Sequence, residues 1–142
     1  MARARIDDTL GRAAFATVRA IAAEHAATLR PAAEGAGDRL GLAASVDRTT
    51  LALAVRYSLQ LLAEQAPGGT VEVRVPPYAA VQCVEGPKHT RGTPPNVIET
   101  DAATWIALAA GDLSWDDARA AGRVHASGQR ADLAGHLPVI PG

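Results

Sequence analysis

The hydrophobic pattern of this chain first changes its period at the Pro-Gly-Gly of residues 67–69. Before this point, apolar residues recur every three or four positions, which is the period of a helix with one buried face. After it, Val71, Val73 and Val75 alternate with charged residues, which is the period of a half-buried strand. The chain is therefore predicted to build helices first and a sheet after them.

The N-terminal part predicts two helices joined by a linker. Asp7 or Asp8 can cap the first helix, which runs to about residue 29. Its predicted buried face consists of Leu10, Ala14, Val18, Ile21, Ala22, His25 and Leu29, with Phe15 beside it. Residues 32–47 have a loose pattern and are predicted to form the linker. Thr49 or Thr50 opens the second helix, which runs to about Gln65 with a buried stripe of Leu51, Val55, Leu59 and Leu62.

The remaining chain predicts short strands and short helices. A strand at residues 71–75 is followed by one at residues 78–85, which is apolar on both faces and is therefore placed at the centre of the sheet. Further strands are predicted at residues 96–99 and 123–127. Asp101 and Ser114 can cap helices at residues 102–110 and 115–121, which Gly111 and Gly122 end. A last short helix is predicted at residues 131–137.

Composition and charge argue against several classes of protein. A formal net charge of -1 does not favour a general affinity for nucleic acid or for an anionic membrane surface. Cys83 is the only cysteine, so no intrachain disulfide can form. The sequence has no run of about 20 apolar residues, so stable membrane insertion is not expected. No secretory signal is recognisable, so a cytoplasmic protein is expected.

The most distinctive polar feature is the loop at residues 86–95. It is rich in Pro and Gly and carries Lys88, the only lysine of the chain, with His89 and Arg91 close behind. Residues of this kind form turns that present their polar groups to solvent. An arginine fork, a histidine and exposed backbone donors suit a carboxylate or a phosphate. Alternatively, the loop is solvated and its cations pair with the acidic residues at 85, 99 and 101.

A family resemblance rests on the C-terminal half. The stretch from Trp105 to Gly128, with further glycines at 111 and 122, is followed by Ala131-Asp-Leu133. This pattern resembles the sterol carrier protein type two family, in which a helix ends at a glycine, a short capped helix follows, and a second glycine leads into a strand. The resemblance covers about residues 69–137. The whole chain is most similar to a small actinobacterial branch of that family, and a related domain forms the C-terminal part of mycothiol-dependent maleylpyruvate isomerase-like proteins.

The resemblance implies an α+β fold in which helices cover one face of a mixed, mostly antiparallel sheet, with an N-terminal helical extension. It divides the chain into residues 1–48, a helix and linker packed on the domain, and residues 49–142, the sterol-carrier-like domain.

The resemblance also implies an apolar tunnel between helices and sheet, with Lys88, His89 and Arg91 at its polar rim. The wall residues that it implies are Val73, Val81, Val97, Trp105, Leu108, Trp115 and Val124, with Val75, Val84, Ile98, Leu133 and Leu137 as further candidates. The alternative is that these side chains pack a closed core, filled in part by the first helix.

No catalytic residue, metal ligand or cofactor is predicted. Cys83 could act as a nucleophile with His89 or His125, but a lone cysteine in a Val-rich strand is typical of a small buried residue. His125 is expected to be exposed, on the face opposite Val124. The four histidines are far apart in the sequence, which does not favour a zinc site.

Three hypotheses of function follow. The leading one is non-enzymatic binding or transfer of a lipid or other apolar small molecule, with an anionic head group held at residues 86–95. The second is an interaction or regulatory module in which the first two helices dimerise or dock a partner. The third is an accessory domain related to thiol-dependent isomerases. The oligomeric state is left open.

Overall fold

The computed structural model describes residues 4–28, 46–87 and 96–140 of the 142-residue chain, with the backbone only at residues 24–28. The helices are α1 (Asp8–Thr28), α2 (Arg48–Gln65), α3 (Ala102–Ala110) and α4 (Trp115–Ala120). The strands are β1 (Val71–Val75), β2 (Ala79–Cys83), β3 (Val97–Thr100) and β4 (Val124–Ser127). The predicted α+β class and N-terminal helix are confirmed. No helix in the described ranges is long and apolar enough to cross a membrane.

The described strands form one mixed sheet in the order β2-β1-β3-β4. β1 pairs antiparallel with β2 and parallel with β3, and β3 pairs antiparallel with β4. A mixed, mostly antiparallel sheet was predicted and is confirmed. The central position predicted for residues 78–85 is wrong, because this segment forms β2 at the edge of the sheet. The exposed residues of β2 are Ala80 and Gln82. Ala80 made the segment look apolar on both faces, although alanine is also well tolerated at the surface.

The two faces of the sheet differ in polarity. The three valines of β1 are fully buried on the inner face. Glu72 and Arg74 of the same strand form an ion pair on the outer face. His125 of β4 is also exposed, as predicted. The helices therefore cover one face of the sheet, which is the arrangement that the alternation in residues 71–75 predicts.

Side chains cap all four described helices, and at the start of α1 the carboxylate of Asp7 accepts a hydrogen bond of 3.2 Å from the backbone N–H of Leu10. The carboxylate of Asp101 caps α3, and Gly111 ends this helix with φ 84. Ser114 caps α4. Both were predicted from the sequence. The start of α2 differs slightly, because its cap is Asp47, whose carboxylate accepts a hydrogen bond of 3.1 Å from the backbone N–H of Thr50.

Helix α1 packs on α2 and α3 with most of the predicted face, since Ala14 and Val18 are buried and Ile21 and Ala22 partly so. Leu10 is 56% exposed, whereas Phe15 is only 2% exposed and lies in the core. Gly11 is buried where Leu10 was predicted to be, beside Ala14, Phe15 and Val18. The predicted His25 and Leu29 lie outside the described side chains. A Cβ atom at Gly11 would lie 2.2 Å from Cγ of Tyr57 in α2. Glycine at this position therefore lets the two helices approach closely, and Gly11 rather than Leu10 takes the buried position.

The helix predicted at residues 131–137 does not form. The backbone N–H of Ala134 donates 2.7 Å to the side chain of Asp132, and Gly135 adopts φ 86, so both favour a turn over a helix. The chain then runs back to α3, where the backbone N–H of Val139 donates 2.9 Å to the carbonyl of Ala109. Gln65 of α2 donates 3.0 Å to the carbonyl of Val139. The C-terminal segment is thus tied to the ends of α2 and α3.

Candidate functional site

Six of the seven predicted wall residues lie on the inner, helix-covered side of the sheet, and one lies on its outer face. Val73, Trp105 and Leu108 are fully buried, and Trp115 and Val124 nearly so. Val81 is partly buried and lies across from Val73 in the register of β1 and β2. These six belong to the inner, helix-covered side together with Ile98. They form one continuous apolar cluster with α2 and α3.

Val97 is the exception among the predicted wall residues. It pairs with Glu72 of β1 and with Ser127 of β4, so its side chain points to the outer face. Its neighbour Ile98 is 1% exposed and faces inward. Two adjacent apolar residues in a four-residue strand leave the orientation open at the level of sequence, and only the pairing register determines which one is buried.

Trp105 joins α3 to α2 through a buried hydrogen bond. Its indole Nε1–H donates 2.8 Å to Oγ of Ser58, which in turn donates 2.7 Å to the carbonyl of Ala54. Both side chains have no exposed area. The role of Ser58 was not predicted from the sequence, although a serine next to the apolar stripe of α2 can indicate a buried polar contact. We call this contact the α2–α3 seam.

The predicted polar rim, Lys88, His89 and Arg91, lies outside the described residues, and so does most of its loop. The described ends of the loop lie at one end of the sheet. Cys83, at the end of β2, pairs with Val71, and Val97, at the start of β3, pairs with the next residue of β1. The loop therefore leaves and returns at the end of the sheet where β1 begins.

Hydrogen bonds fix both ends of the loop to the start of β1. The Oγ1 hydroxyl of Thr70 donates 2.8 Å to the carbonyl of Pro87. Asn96 is 7% exposed and donates 3.0 Å through Nδ2 to the carbonyl of Thr70. The backbone N–H of Arg130 donates 3.0 Å to Oδ1 of Asn96. The amide of Asn96 therefore bridges β1 and the turn after β4, a role that nothing in the sequence analysis assigned to it.

Cys83 faces the core and lacks the properties of a nucleophile. Its side chain has no exposed area, and burial raises the pKa of the thiol to about 11. A thiol with this pKa is almost entirely protonated at neutral pH, and the protonated form is not the reactive one. In the parts of the chain that the structure describes, no group of three His, Cys, Asp or Glu side chains is placed to hold a metal ion.

We expect Cys83 to resist a thiol reagent such as dithionitrobenzoate in the native protein at pH 7–8. The reagent should react fully once guanidinium unfolds the chain, because unfolding both exposes the sulfur and restores its ordinary pKa. The measurement is the absorbance of released thionitrobenzoate with time. Fast modification of the native protein would contradict the buried, protonated state.

One comparison with known proteins identifies the family. The sequence profile described as Bacterial SCP ortholog, where SCP stands for sterol carrier protein, matches residues 47–139. The match covers more than half of the chain and includes α2, α3, α4 and all four strands. The chain belongs to this bacterial sterol carrier protein family. No curated protein matches it.

Family membership confirms the resemblance that the glycine and apolar pattern indicated. The matched range begins at Asp47, the cap of α2, so α1 lies outside it. The family is one of carrier and binding domains rather than of enzymes, which indicates binding of a lipid or other apolar ligand in general terms. The actinobacterial branch and the relationship to the isomerase-like proteins stay predictions.

Proposed function

We propose that this protein binds and transfers a lipid or another apolar small molecule, and that the ligand occupies the space between the helices and the inner face of the sheet. The observation that carries the proposal is an apolar sheet face covered by α2 and α3 in a chain of the sterol carrier family. Such a site offers a ligand apolar walls and needs few polar groups. A cytoplasmic location is part of the proposal.

The centre of the inner face is closed among the described residues. Val73, Trp105 and Leu108 have no area accessible to water, so none of them borders a water-sized space. A ligand must therefore move side chains or whole helices to enter. Binding by this route is expected to be slow compared with binding to an open cleft, because a conformational change limits the rate of association.

The proposal includes an anionic head group held by Lys88, His89 and Arg91. Both ends of their loop are fixed at the end of the sheet where β1 begins, through Thr70 and Asn96. A ligand whose tail lies along the inner face could place its head group at this end. A carboxylate or phosphate there would receive charge-assisted hydrogen bonds from the arginine and the lysine.

We also propose the division into residues 1–48 and 49–142, with the first part an addition to the family domain. The contact of α1 with α2 and α3 of the same chain supports it. The same contact weakens the hypothesis of a helical interaction module, because Ala14, Phe15 and Val18 are already buried within one chain.

Ligand binding can be tested with protein purified from cells and with an anthroyloxy-labelled stearate. Native mass spectrometry should show a bound apolar molecule, and fluorescence titration should show saturable binding of the stearate. The double variant Lys88→Ala, Arg91→Ala should weaken stearate binding by about 10- to 100-fold, the effect of losing hydrogen bonds to a charge. It should leave the uncharged methyl ester of the same probe unaffected.

Arg119→Ala is the matched control for charge. This exposed arginine lies in α4, the helix that precedes β4. The first residue of β4, Val124, pairs with Thr100, which lies at the end of β3 that is far from the loop. Its removal should leave both affinities unchanged. Protein that carries no apolar molecule and binds neither probe would overturn the proposed function, and equal loss of acid and ester binding would overturn the head-group site alone.

A further inference from the structure

We propose that α1 is a clasp that holds α2 and α3 together, and that its release controls entry of the apolar ligand. This inference rests on the proposed function for the ligand, but its structural part stands on contacts of α1 alone. The clasp consists of two anchors, one on α2 and one at the end of α3, with apolar side chains between them.

The first anchor attaches the segment before α1 to α2. The guanidinium of Arg5 makes two hydrogen bonds to the carboxylate of Glu64, of 2.6 and 2.9 Å. The hydroxyl of Tyr57 donates 2.7 Å to Asp8, the first residue of α1. The hydrogen bond from Tyr57 and then that from Arg5 lower the pKa of the Asp8 carboxyl, so the anchor is fully charged at neutral pH.

A two-way amide contact reinforces this anchor. The backbone N–H of Ile6 donates 2.9 Å to Oε1 of Gln60, and Nε2 of Gln60 donates 3.0 Å to the carbonyl of Ile6. The pairing matches that of a strand ladder and fixes the position of the chain along α2. Because Gln60 and Glu64 are one turn apart on α2, the first anchor covers the C-terminal half of that helix.

The second anchor attaches the middle of α1 to the end of α3. Nε and Nη2 of Arg19 donate 3.0 and 2.7 Å to the two carboxylate oxygens of Asp112. Asp112 directly follows Gly111, and its own backbone N–H donates 2.9 Å to the carbonyl of Ala107 in α3. A displacement of Asp112 therefore also moves the last turn of α3.

The two anchors lie on different helices, so docked α1 fixes the distance between them. The α2–α3 seam, where Trp105 meets Ser58, is the contact that must loosen if a ligand is to pass from the helical side to the inner face. Separation of α2 from α3 breaks at least one anchor. Docked α1 is thus a restraint on the opening of the seam.

The composition of the contact suits reversible release. The charged groups of both anchors are partly exposed, with 31% and 42% exposure for Arg19 and Asp112. Ion pairs of this exposure are weak and are screened by salt. Phe15 and Val18 are fully buried between the anchors and keep α1 docked in the resting state. Release of one anchor therefore weakens the restraint on the seam while Phe15 and Val18 hold α1 on the bundle.

Charge exchange at the second anchor tests the clasp in the full chain. The variants are Arg19→Asp, Asp112→Arg and the double variant that carries both. Stopped-flow fluorescence measures the association rate of the methyl ester of anthroyloxy-labelled stearate, which is uncharged and so unaffected by salt screening of the ligand. Each single variant should associate about 2- to 5-fold faster, the factor that a partly exposed ion pair supplies, and the double variant should return to the wild-type rate.

Hydrogen exchange supplies a readout that needs no ligand. The single variants should exchange faster at the amides of both α1 and α3, and the double variant should restore protection. Arg119→Ala, which removes an exposed arginine of α4, is the control and should leave both readouts at wild-type values.

The outcomes separate the clasp from the proposed function. If the wild-type protein binds no lipid but exchange rises and is restored by the double variant, the proposed function fails and the clasp stands as a restraint on the helices. If exchange in α3 is unchanged in both single variants, the clasp is overturned whatever the ligand result. Faster association in Arg119→Ala as well as in the single variants would also overturn it, because any loss of charge would then suffice.

Discussion

Replacement of Trp105 by alanine should lower the free energy of unfolding by about 3–5 kcal/mol. The indole is completely enclosed between α2 and α3, and its truncation leaves a cavity that a close-packed core can fill only in part. The same change also removes the donor to Ser58, which is itself fully buried. Urea denaturation followed by circular dichroism measures the loss as a lower midpoint at an unchanged slope.

Two further variants divide this loss into its parts. Ser58→Ala keeps the indole but leaves its N–H without the acceptor, and should lower the stability by about 1–3 kcal/mol. Trp105→Phe keeps most of the ring volume and should fall between Ser58→Ala and Trp105→Ala. A loss of less than about 1 kcal/mol for Trp105→Ala would contradict the closed core, because a side chain that borders an existing lumen leaves little new cavity when it is truncated.

Replacement of Gly68 by alanine should lower the free energy of unfolding by more than about 2 kcal/mol. Gly68 adopts φ 151, and a Cβ atom there would lie 2.0 Å from the carbonyl oxygen of Val84. That oxygen accepts a hydrogen bond of 3.1 Å from the backbone N–H of Thr70. Backbone cannot move aside as the end of a side chain can, so the turn before β1 must separate from the end of β2.

Gly122→Ala is the matched control for this prediction. Gly122 also has a positive φ, of 70, but nothing lies within 4 Å of a Cβ atom placed there. Its replacement should lower the stability by only about 1–2 kcal/mol, the strain of an alanine in the left-handed region. Equal losses for the two glycines in thermal or urea denaturation would show that backbone strain, and not the close approach to Val84, governs position 68.

The close approach at Gly68 also bears on the proposed head-group site. Val84 itself has φ 69, which is unusual for a β-branched residue, and its backbone N–H donates 2.7 Å to the carbonyl of Ala66. The chain is thus held on both sides just before the loop that carries Lys88 and Arg91. This placement explains why the loop leaves the sheet where β1 begins.

Local signals predicted much of this fold. The caps Asp101 and Ser114 were identified because a capping side chain bonds a backbone N–H only three residues away. The alternation in residues 71–75 predicted a sheet with one covered face for a similar reason. In a strand, the polarity of each side chain indicates whether that residue faces solvent or the core. These features depend on neighbours along the chain, and so the sequence contains them.

Other features depend on partners that are distant along the chain. The position of β2 at the edge follows from the parallel pairing of β1 with β3, which no residue of β2 reveals. Which of Val97 and Ile98 faces inward follows from the register with β1. The three-and-four spacing of apolar residues in α1 predicted that Leu10 is buried, but Gly11 takes that place because α1 meets the ring of Tyr57 in α2 there.

The sequence by itself determined the α+β class, the main helices and strands, and the family, because period, caps and glycine positions are properties of short segments. The tertiary structure alone decided how those segments close on each other. In an isolated helix, Gly11 would lower the stability of the helix. Against the ring of Tyr57, however, it permits the close contact between α1 and α2. Likewise, the pairs Arg5–Glu64 and Arg19–Asp112 join residues far apart in the chain. These pairs form only when the packing of the helices brings the charged groups within hydrogen-bonding distance.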